Sequence, residues 1–148
     1  MLLHILIILG LLILGIIITP NKKQSKNRFY LFVVFIVLLL LSAFRSINIG
    51  NDTEEYVLMF KKFGQTNNIF DLDTSMEIGY VLLNKVLYSI SSNPLILIGI
   101  TSAFVLGVII IFIYKNSNMV WLSVFLFINF RLYYFTLSGI RQSIALAI

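Results

Sequence analysis

Long runs of apolar residues, separated by short polar segments, dominate the pattern along this chain. The runs at 2–18, 29–44, 95–114 and 119–137 approach the roughly 20 residues that an α-helix needs to cross the hydrocarbon core of a membrane. Inside lipid, only a helix or a closed barrel satisfies its own backbone groups. The pattern therefore predicts an all-α integral membrane protein that is folded as a polytopic helix bundle.

Two further apolar runs are shorter than these four. Residues 78–90 predict a helix that is interrupted by Asn84 and Lys85, and its length suits a re-entrant or interfacial helix. A crossing helix is also compatible with the same residues. Residues 139–148 predict the start of a further span, since the run is still apolar at its last residue.

The polar segment between the second and third long runs carries all six acidic residues of the chain. Within it, Tyr56, Phe60 and Phe63 recur at intervals of four and three residues, which predicts a short amphipathic helix on the external membrane surface. Asp52 and Glu77 stand at predicted helix starts, Glu77 within a capping-box pattern. Each is therefore either a helix cap or a candidate general base, which takes a proton from a substrate hydroxyl.

The amino-acid composition is not that of a soluble protein. Apolar residues make up 59% of the chain and charged residues only 11%, whereas a soluble domain has about 25% charged residues. The basic pI of about 9.6 does not indicate a nucleic-acid partner, because no soluble basic domain is present to bind one. The chain also contains no cysteine, which excludes disulfides and thiolate metal sites.

The distribution of lysine and arginine predicts the orientation. Residues 22–28 carry four cations, so the positive-inside rule places this loop in the cytoplasm and the N-terminus outside. If the helix at 78–90 does not cross the membrane, Lys115 lies inside and Arg141 lies outside. If it does cross, the two exchange sides. We prefer the first topology because it obeys the positive-inside rule at Lys115.

Ionisable side chains at membrane depth are costly and therefore mark candidate functional sites. Arg141 lies in the first turns of the last apolar run, where its planar guanidinium and the backbone N–H groups both favour a phosphate. A structural arginine paired with a carboxylate is the alternative, and Arg131 has the same two interpretations. Asp71 and Asp73 have the spacing of a glycosyltransferase metal site but lack the nucleotide-binding fold around it, so we expect no metal and no cofactor.

Four stretches of the chain resemble the EpsG family, which groups with Wzy-type polysaccharide polymerases. They are Arg45 at the outer end of a span, the segment 48–56 beyond it, Glu77-Ile78-Gly79-Tyr80, and the segment 140–145, Ile-Arg-Gln-Ser-Ile-Ala. Family members are usually more than twice this long. The resemblance thus implies that this chain is an N-terminal fragment, and we expect the fragment alone to be inactive.

The resemblance implies a glycosyltransferase reaction at the bacterial cytoplasmic membrane, in exopolysaccharide or capsule synthesis. The substrate would be an undecaprenyl-diphosphate-linked oligosaccharide, and the partners would be membrane lipid and other polysaccharide-assembly proteins. On this hypothesis an acceptor hydroxyl attacks the anomeric carbon and the lipid diphosphate leaves. A non-catalytic subunit or flippase-like carrier of lipid-linked glycans is the alternative function, and an inactive remnant is a third.

The hypothesis assigns a role to each candidate residue. Asp52 or Glu77 would be the base and Arg141 would stabilise the leaving diphosphate, which makes these three the catalytic candidates. The substrate-binding candidates are Arg45, Arg131, Gln142, Tyr56 and Tyr80.

Overall fold

The computed structural model describes residues 2–19, 24–45, 52–66 and 76–148, with side chains from Ile5 onward. All regular structure within these ranges is helical, which confirms the predicted helical class. The helices are α1 (Leu2–Ile18), α2 (Gln24–Ala43), α3 (Thr53–Gln65), α4 (Ile78–Ile90), α5 (Leu95–Asn116), α6 (Val120–Asn129), α7 (Leu132–Ser138) and α8 (Ile140–Ala147).

Helices α2 and α5 pack against each other over their length and run antiparallel. At one end, Arg28 Nε donates a hydrogen bond of 2.7 Å to the Tyr114 hydroxyl. At the other end, a Cβ built on Gly99 would lie 3.9 Å from the Cβ of Ala43. The end of α2 and the start of α5 therefore lie at the same end of the bundle, and α3 and α4 connect them.

Within the described residues, α2 and α5 are long and apolar enough to cross a membrane, and the bent pair α6–α7 is a third candidate if it forms one span. Helices α1 and α4 are shorter apolar helices. Helix α2 begins at Gln24, five residues before the predicted 29, and α5 continues to Asn116 rather than 114. The apolar run marks only the part of a helix that lies in the hydrocarbon core of the membrane, whereas the helical hydrogen bonds continue into the polar residues that flank the run. This explains both extensions.

The predicted span over 119–137 is not one continuous helix. Helices α6 and α7 meet at a break where the chain bends by 54°, so the pair is a broken span or a re-entrant segment. Arg131 occupies the break with a φ of 61°, a left-handed conformation that is uncommon for residues other than glycine. Hydrophobic periodicity cannot detect this bend, because the apolar residues continue on both sides of it.

Buried apolar residues form two clusters. We call the first the long-helix core; its fully buried members include Tyr30, Val34, Leu38, Leu106, Val120 and Val124. Here α1, α2, α5 and α6 meet closely enough that a Cβ on Gly15 of α1 would lie 2.6 Å from the Trp121 Cβ of α6. Glycine at this position allows the two helices to approach each other.

The second cluster, the short-helix core, joins α3, α4, α8 and the start of α5. It consists of Tyr56, Phe60, Phe63, Tyr80, Val81, Leu87, Leu97, Ile98 and Ile140. The predicted apolar face of α3 is confirmed, since its three aromatic residues are all buried. This face packs on α4 rather than being exposed to lipid, because the equally apolar face of α4 lies beside it.

Candidate functional site

The candidate residues gather where the first turns of three helices meet. Tyr56 in α3, Tyr80 in α4 and Arg141 in α8 each lie within four residues of a helix start. The rings of Tyr56 and Tyr80 contact each other edge to face, with centroids 6.1 Å apart. The Arg141 guanidinium carbon lies 5.9 Å from the centre of the Tyr80 ring. We call this meeting point the three-helix site.

Arg141 and Glu77 form a two-pronged ion pair at the edge of this site. Arg141 Nη2 donates to both carboxylate oxygens of Glu77 at 2.7 Å, and Nε donates to Oε2 at 3.1 Å. The pair is accessible to water, since 68% of the Glu77 side chain and 30% of the Arg141 side chain are exposed. Exposed ion pairs contribute little to stability, so this one is available for exchange with another anion.

The prediction that the carboxylates of Asp52 and Glu77 cap helices is wrong, although both residues occupy N-cap positions. Asp52 and Glu77 do occupy the N-cap positions of α3 and α4, and their carbonyls accept bonds from Tyr56 and Val81. Neither carboxylate makes a capping hydrogen bond. The capping-box prediction fails because α4 begins only at Ile78, after Glu77. Thr74 and Ser75 of that motif lie outside the described residues.

A cavity of about 540 Å³ opens beside the ion pair. Its lining residues include Glu77, Tyr80, Arg141 and Gln142, so four of the predicted site residues share one space. Gln142 folds back over Gly139, where its amide oxygen occupies the space that a side chain at that position would need. The cavity therefore combines a cationic fork, an amide and an aromatic ring.

Nearby charges and burial shift the pKa values of two groups at this site, the Glu77 carboxyl and the Tyr56 hydroxyl. The hydrogen bonds from Arg141 lower the pKa of the Glu77 carboxyl below its ordinary value, so this group is a carboxylate at neutral pH. Burial raises the pKa of the Tyr56 hydroxyl, an effect that the nearby backbone N–H of Arg141 opposes. Tyr56 is thus a neutral donor or acceptor.

Arg45 is a buried cation with few partners. It is only 7% exposed, and Nη2 donates to the Thr53 hydroxyl at 3.2 Å. Its Nε and Nη1 are buried without a hydrogen-bond partner in the described part of the chain. Burial lowers the pKa of this guanidinium. Because a buried charge is unfavourable unless it is paired, Arg45 remains a candidate for binding an anion.

Arg45 also lies close to the three-helix site. Its partner Thr53 is the first residue of α3, and Tyr56 follows three residues later on the same buried face. Side chains three apart on a helix have Cβ atoms about 5–6 Å apart. Asp52 precedes Thr53 and is near enough for its charge to act on the Tyr56 hydroxyl. The structure therefore brings Arg45, Asp52 and Tyr56 into one neighbourhood.

Arg131 is a predicted site residue for which the structure describes no contact with the three-helix site. It is exposed at the bend between α6 and α7, and none of its described contacts joins it to Arg141 or Glu77. Other predictions cannot be placed: residues 48–51 of the motif beyond Arg45, together with Asp71 and Asp73, lie outside the described residues. Across the described ranges, no group of three or more metal-ligating side chains occurs.

Asn84 is a residue of this region that sequence reasoning did not select. It is fully buried in α4, and its amide nitrogen donates to the Tyr80 carbonyl at 2.7 Å. Asn84 Oδ1 and the Tyr80 hydroxyl are both buried without a hydrogen-bond partner among the described residues. The signal was present in the sequence as an amide within an apolar helix, where buried polar groups require a partner.

Comparison with protein-family models gives a match over residues 28–148, to the model described as the EpsG family. The match includes every residue of the three-helix site. No curated protein and no solved structure matches the chain.

Proposed function

Since this chain belongs to the EpsG family of exopolysaccharide-related membrane proteins, we propose that it binds the diphosphate of an undecaprenyl-linked oligosaccharide at the three-helix site and joins repeat units there. The observation that supports this most is the meeting of three helix N-termini around Arg141, with the buried Arg45 beside them. This arrangement brings two guanidinium groups and the positive ends of three helices beside a partly water-accessible cavity, which favours an anion although the carboxylates of Asp52 and Glu77 lie nearby.

The site's electrostatics suit a diphosphate. Helix N-termini carry unsatisfied N–H groups and a partial positive charge, and both favour phosphate. Arg141 supplies a planar fork for two phosphate oxygens, and Arg45 supplies two buried nitrogens without described partners. On binding, a phosphate oxygen replaces the Glu77 carboxylate on Arg141. The two arginines then stabilise the negative charge that develops on the leaving diphosphate.

Asp52 fits the role of general base better than Glu77. The contact with Arg141 lowers the pKa of Glu77, which weakens it as a proton acceptor, because a base works best with a pKa near the operating pH. The Asp52 carboxylate makes no capping bond and is partly exposed beside Tyr56. We therefore assign proton abstraction from the acceptor hydroxyl to Asp52, whereas Glu77 holds Arg141 at the site until the diphosphate replaces it.

The antiparallel pairing of α2 and α5 supports placing the site on the outer face. Lys26, Arg28 and Lys115 lie at one end of the bundle, and the positive-inside rule puts that end in the cytoplasm. The three-helix site then lies outside, and α4 does not cross the membrane.

Impermeant thiol labelling tests this topology, because the native chain has no cysteine. We expect single cysteines at positions 52 and 139 to be labelled from outside and one at position 117 only after the membrane is opened. Labelling of 52 and 139 from opposite sides would separate the proposed base from Arg141 by the bilayer and refute the proposal.

Glycan analysis of cells with single substitutions in the native protein tests the chemistry. We expect Arg141→Ala and Arg45→Ala to abolish long chains and leave unjoined lipid-linked repeat units. A charge-assisted hydrogen bond contributes about 1.5–3 kcal/mol, so each arginine should change substrate affinity roughly tenfold to hundredfold. Arg131→Ala is the matched control and should leave chain length unchanged. Normal chain length in the Arg141 variant would refute the assignment.

Asp52→Asn separates a polymerase from a carrier of lipid-linked glycans. A carrier needs the arginines but no base, so this variant should still deliver repeat units to the outer face. A polymerase with the same substitution should accumulate single repeat units there. Long polysaccharide from the Asp52→Asn variant would favour the carrier.

A further inference from the structure

A groove of about 290 Å³ lies between α2 and α5, at the end of the bundle opposite the three-helix site. It is lined by Arg28, Leu31, Phe32, Phe35, Gly107, Ile110, Ile111 and Tyr114. Apolar side chains form its walls, and a single cation stands at its end. From this geometry we infer a binding site for an anionic membrane phospholipid, with its phosphate on Arg28 and part of one acyl chain in the groove.

The shape of the groove follows from the antiparallel pairing of the two helices. Arg28 and Tyr114 close one end through their 2.7 Å hydrogen bond, and Phe35 and Gly107 lie seven residues further along each helix. Seven residues of helix span about 10 Å. The missing side chain of Gly107 forms the open wall, since a Cβ built there would meet no atom within 4 Å.

The charge at this end selects the lipid. The bond to Tyr114 uses Arg28 Nε, which leaves the terminal nitrogens of the fork for a phosphate. The guanidinium carbon lies 5.4 Å from the centre of the Tyr114 ring, which helps to hold the fork at the groove entrance. Lys26 and Lys115 add positive charge nearby, and basic pockets between membrane helices bind anionic headgroups.

Lipid retention by the purified protein in detergent tests the site, with native mass spectrometry as the readout. Phosphatidylglycerol and phosphatidylcholine are the probes, since they differ in headgroup charge and share their acyl chains. We expect the native chain to retain phosphatidylglycerol in preference. Arg28→Gln should weaken phosphatidylglycerol retention roughly fivefold and leave phosphatidylcholine unchanged, since one cation near the membrane surface contributes about that factor.

Filling the groove separates this site from general surface attraction. Gly107→Leu should reduce retention of both lipids, whereas Gly10→Leu, at an equally open glycine outside the groove, should not. Gly107→Ala is the milder variant if leucine disturbs folding, and circular dichroism checks the helices. The inference would be overturned if Lys26→Gln reduced phosphatidylglycerol retention as much as Arg28→Gln. It would also be overturned if folded Gly107 variants retained lipid as the native chain does.

Discussion

The long-helix core and the short-helix core differ in whether their buried polar groups have hydrogen-bond partners. In the long-helix core, the Ser42 hydroxyl bonds to the Leu38 carbonyl at 2.8 Å, and the Tyr30 hydroxyl bonds to the Leu11 carbonyl at 3.3 Å. In the short-helix core, the Tyr80 hydroxyl and Asn84 Oδ1 are buried inside the cluster without a described partner, whereas among the long helices the corresponding atom is Asn27 Oδ1, near the start of α2.

This difference in hydrogen bonding suggests a different role for each region. Helices in contact with lipid must satisfy polar side chains internally, because lipid offers no hydrogen-bond partner. A region that leaves polar groups without internal partners loses stability unless a ligand or water satisfies them. This contrast agrees with the proposed function, in which the long-helix core is the support and a polar substrate binds beside the short-helix core.

The largest expected effect comes from removing a central aromatic of the short-helix core. Phe60→Ala should lower the free energy of unfolding by about 3–5 kcal/mol and abolish long polysaccharide, because Phe60 is fully buried between α3 and α4. Phe29→Ala, at an exposed position, should cost far less. Unfolding in mixed micelles measures both.

A cross-link shows whether the two regions come apart in the Phe60 variant. Cysteines at Ala43 and Gly99 should still form a disulfide there, because their Cβ positions are 3.9 Å apart and belong to the α2–α5 pair. Loss of that disulfide would mean that the two cores fold as one unit.

Overpacking should destabilise each region by a smaller amount. Gly15→Ala places a methyl group against the Trp121 Cβ, and Gly64→Ala places one against the Tyr88 ring, so we expect about 1–3 kcal/mol for each. Only the Gly64 variant should reduce polymer length, since it moves α3 away from α4. Gly10→Ala is the control; a loss there as large as at Gly15 would contradict the packing argument.

Removing the hydroxyl of Tyr30 and that of Tyr80 should change the free energy of unfolding in different ways. Tyr30→Phe removes a satisfied hydroxyl and should cost about 1 kcal/mol, whereas Tyr80→Phe removes a buried hydroxyl without a described partner and should be neutral or stabilising. Unfolding measurements compare the two, and glycan analysis should show impaired synthesis only for Tyr80→Phe. Equal destabilisation by both variants would contradict the proposed contrast.

The smallest effect concerns the Glu77 titration. Because Arg141 lowers its pKa, the ion pair stabilises the fold fully above the ordinary glutamate value of about 4.3 and is lost as pH falls through the lower, folded value. The carboxyl carbon resonance of Glu77 should titrate at a higher pH in Arg141→Gln than in the native chain. An unchanged midpoint would mean that the pair does not form in solution.

Much of the local structure followed from the sequence. The extent of the apolar runs predicted the bounds of α1 and α4, and hydrophobic periodicity predicted the buried face of α3, because burial of apolar side chains creates that periodicity. The same signal missed the bend at Arg131, where one left-handed residue redirects the chain without changing its apolar character.

The sequence alone determined the chemistry present: an apolar helical chain with cations at 22–28 and a few ionisable groups at helix starts. Only the tertiary structure decided which of these groups meet. It joined Glu77 to Arg141 across 64 positions and buried Arg45 against Thr53. Residue spacing determines contacts within one helix, whereas contacts between helices depend on how their faces pack, and several packings suit the same apolar pattern.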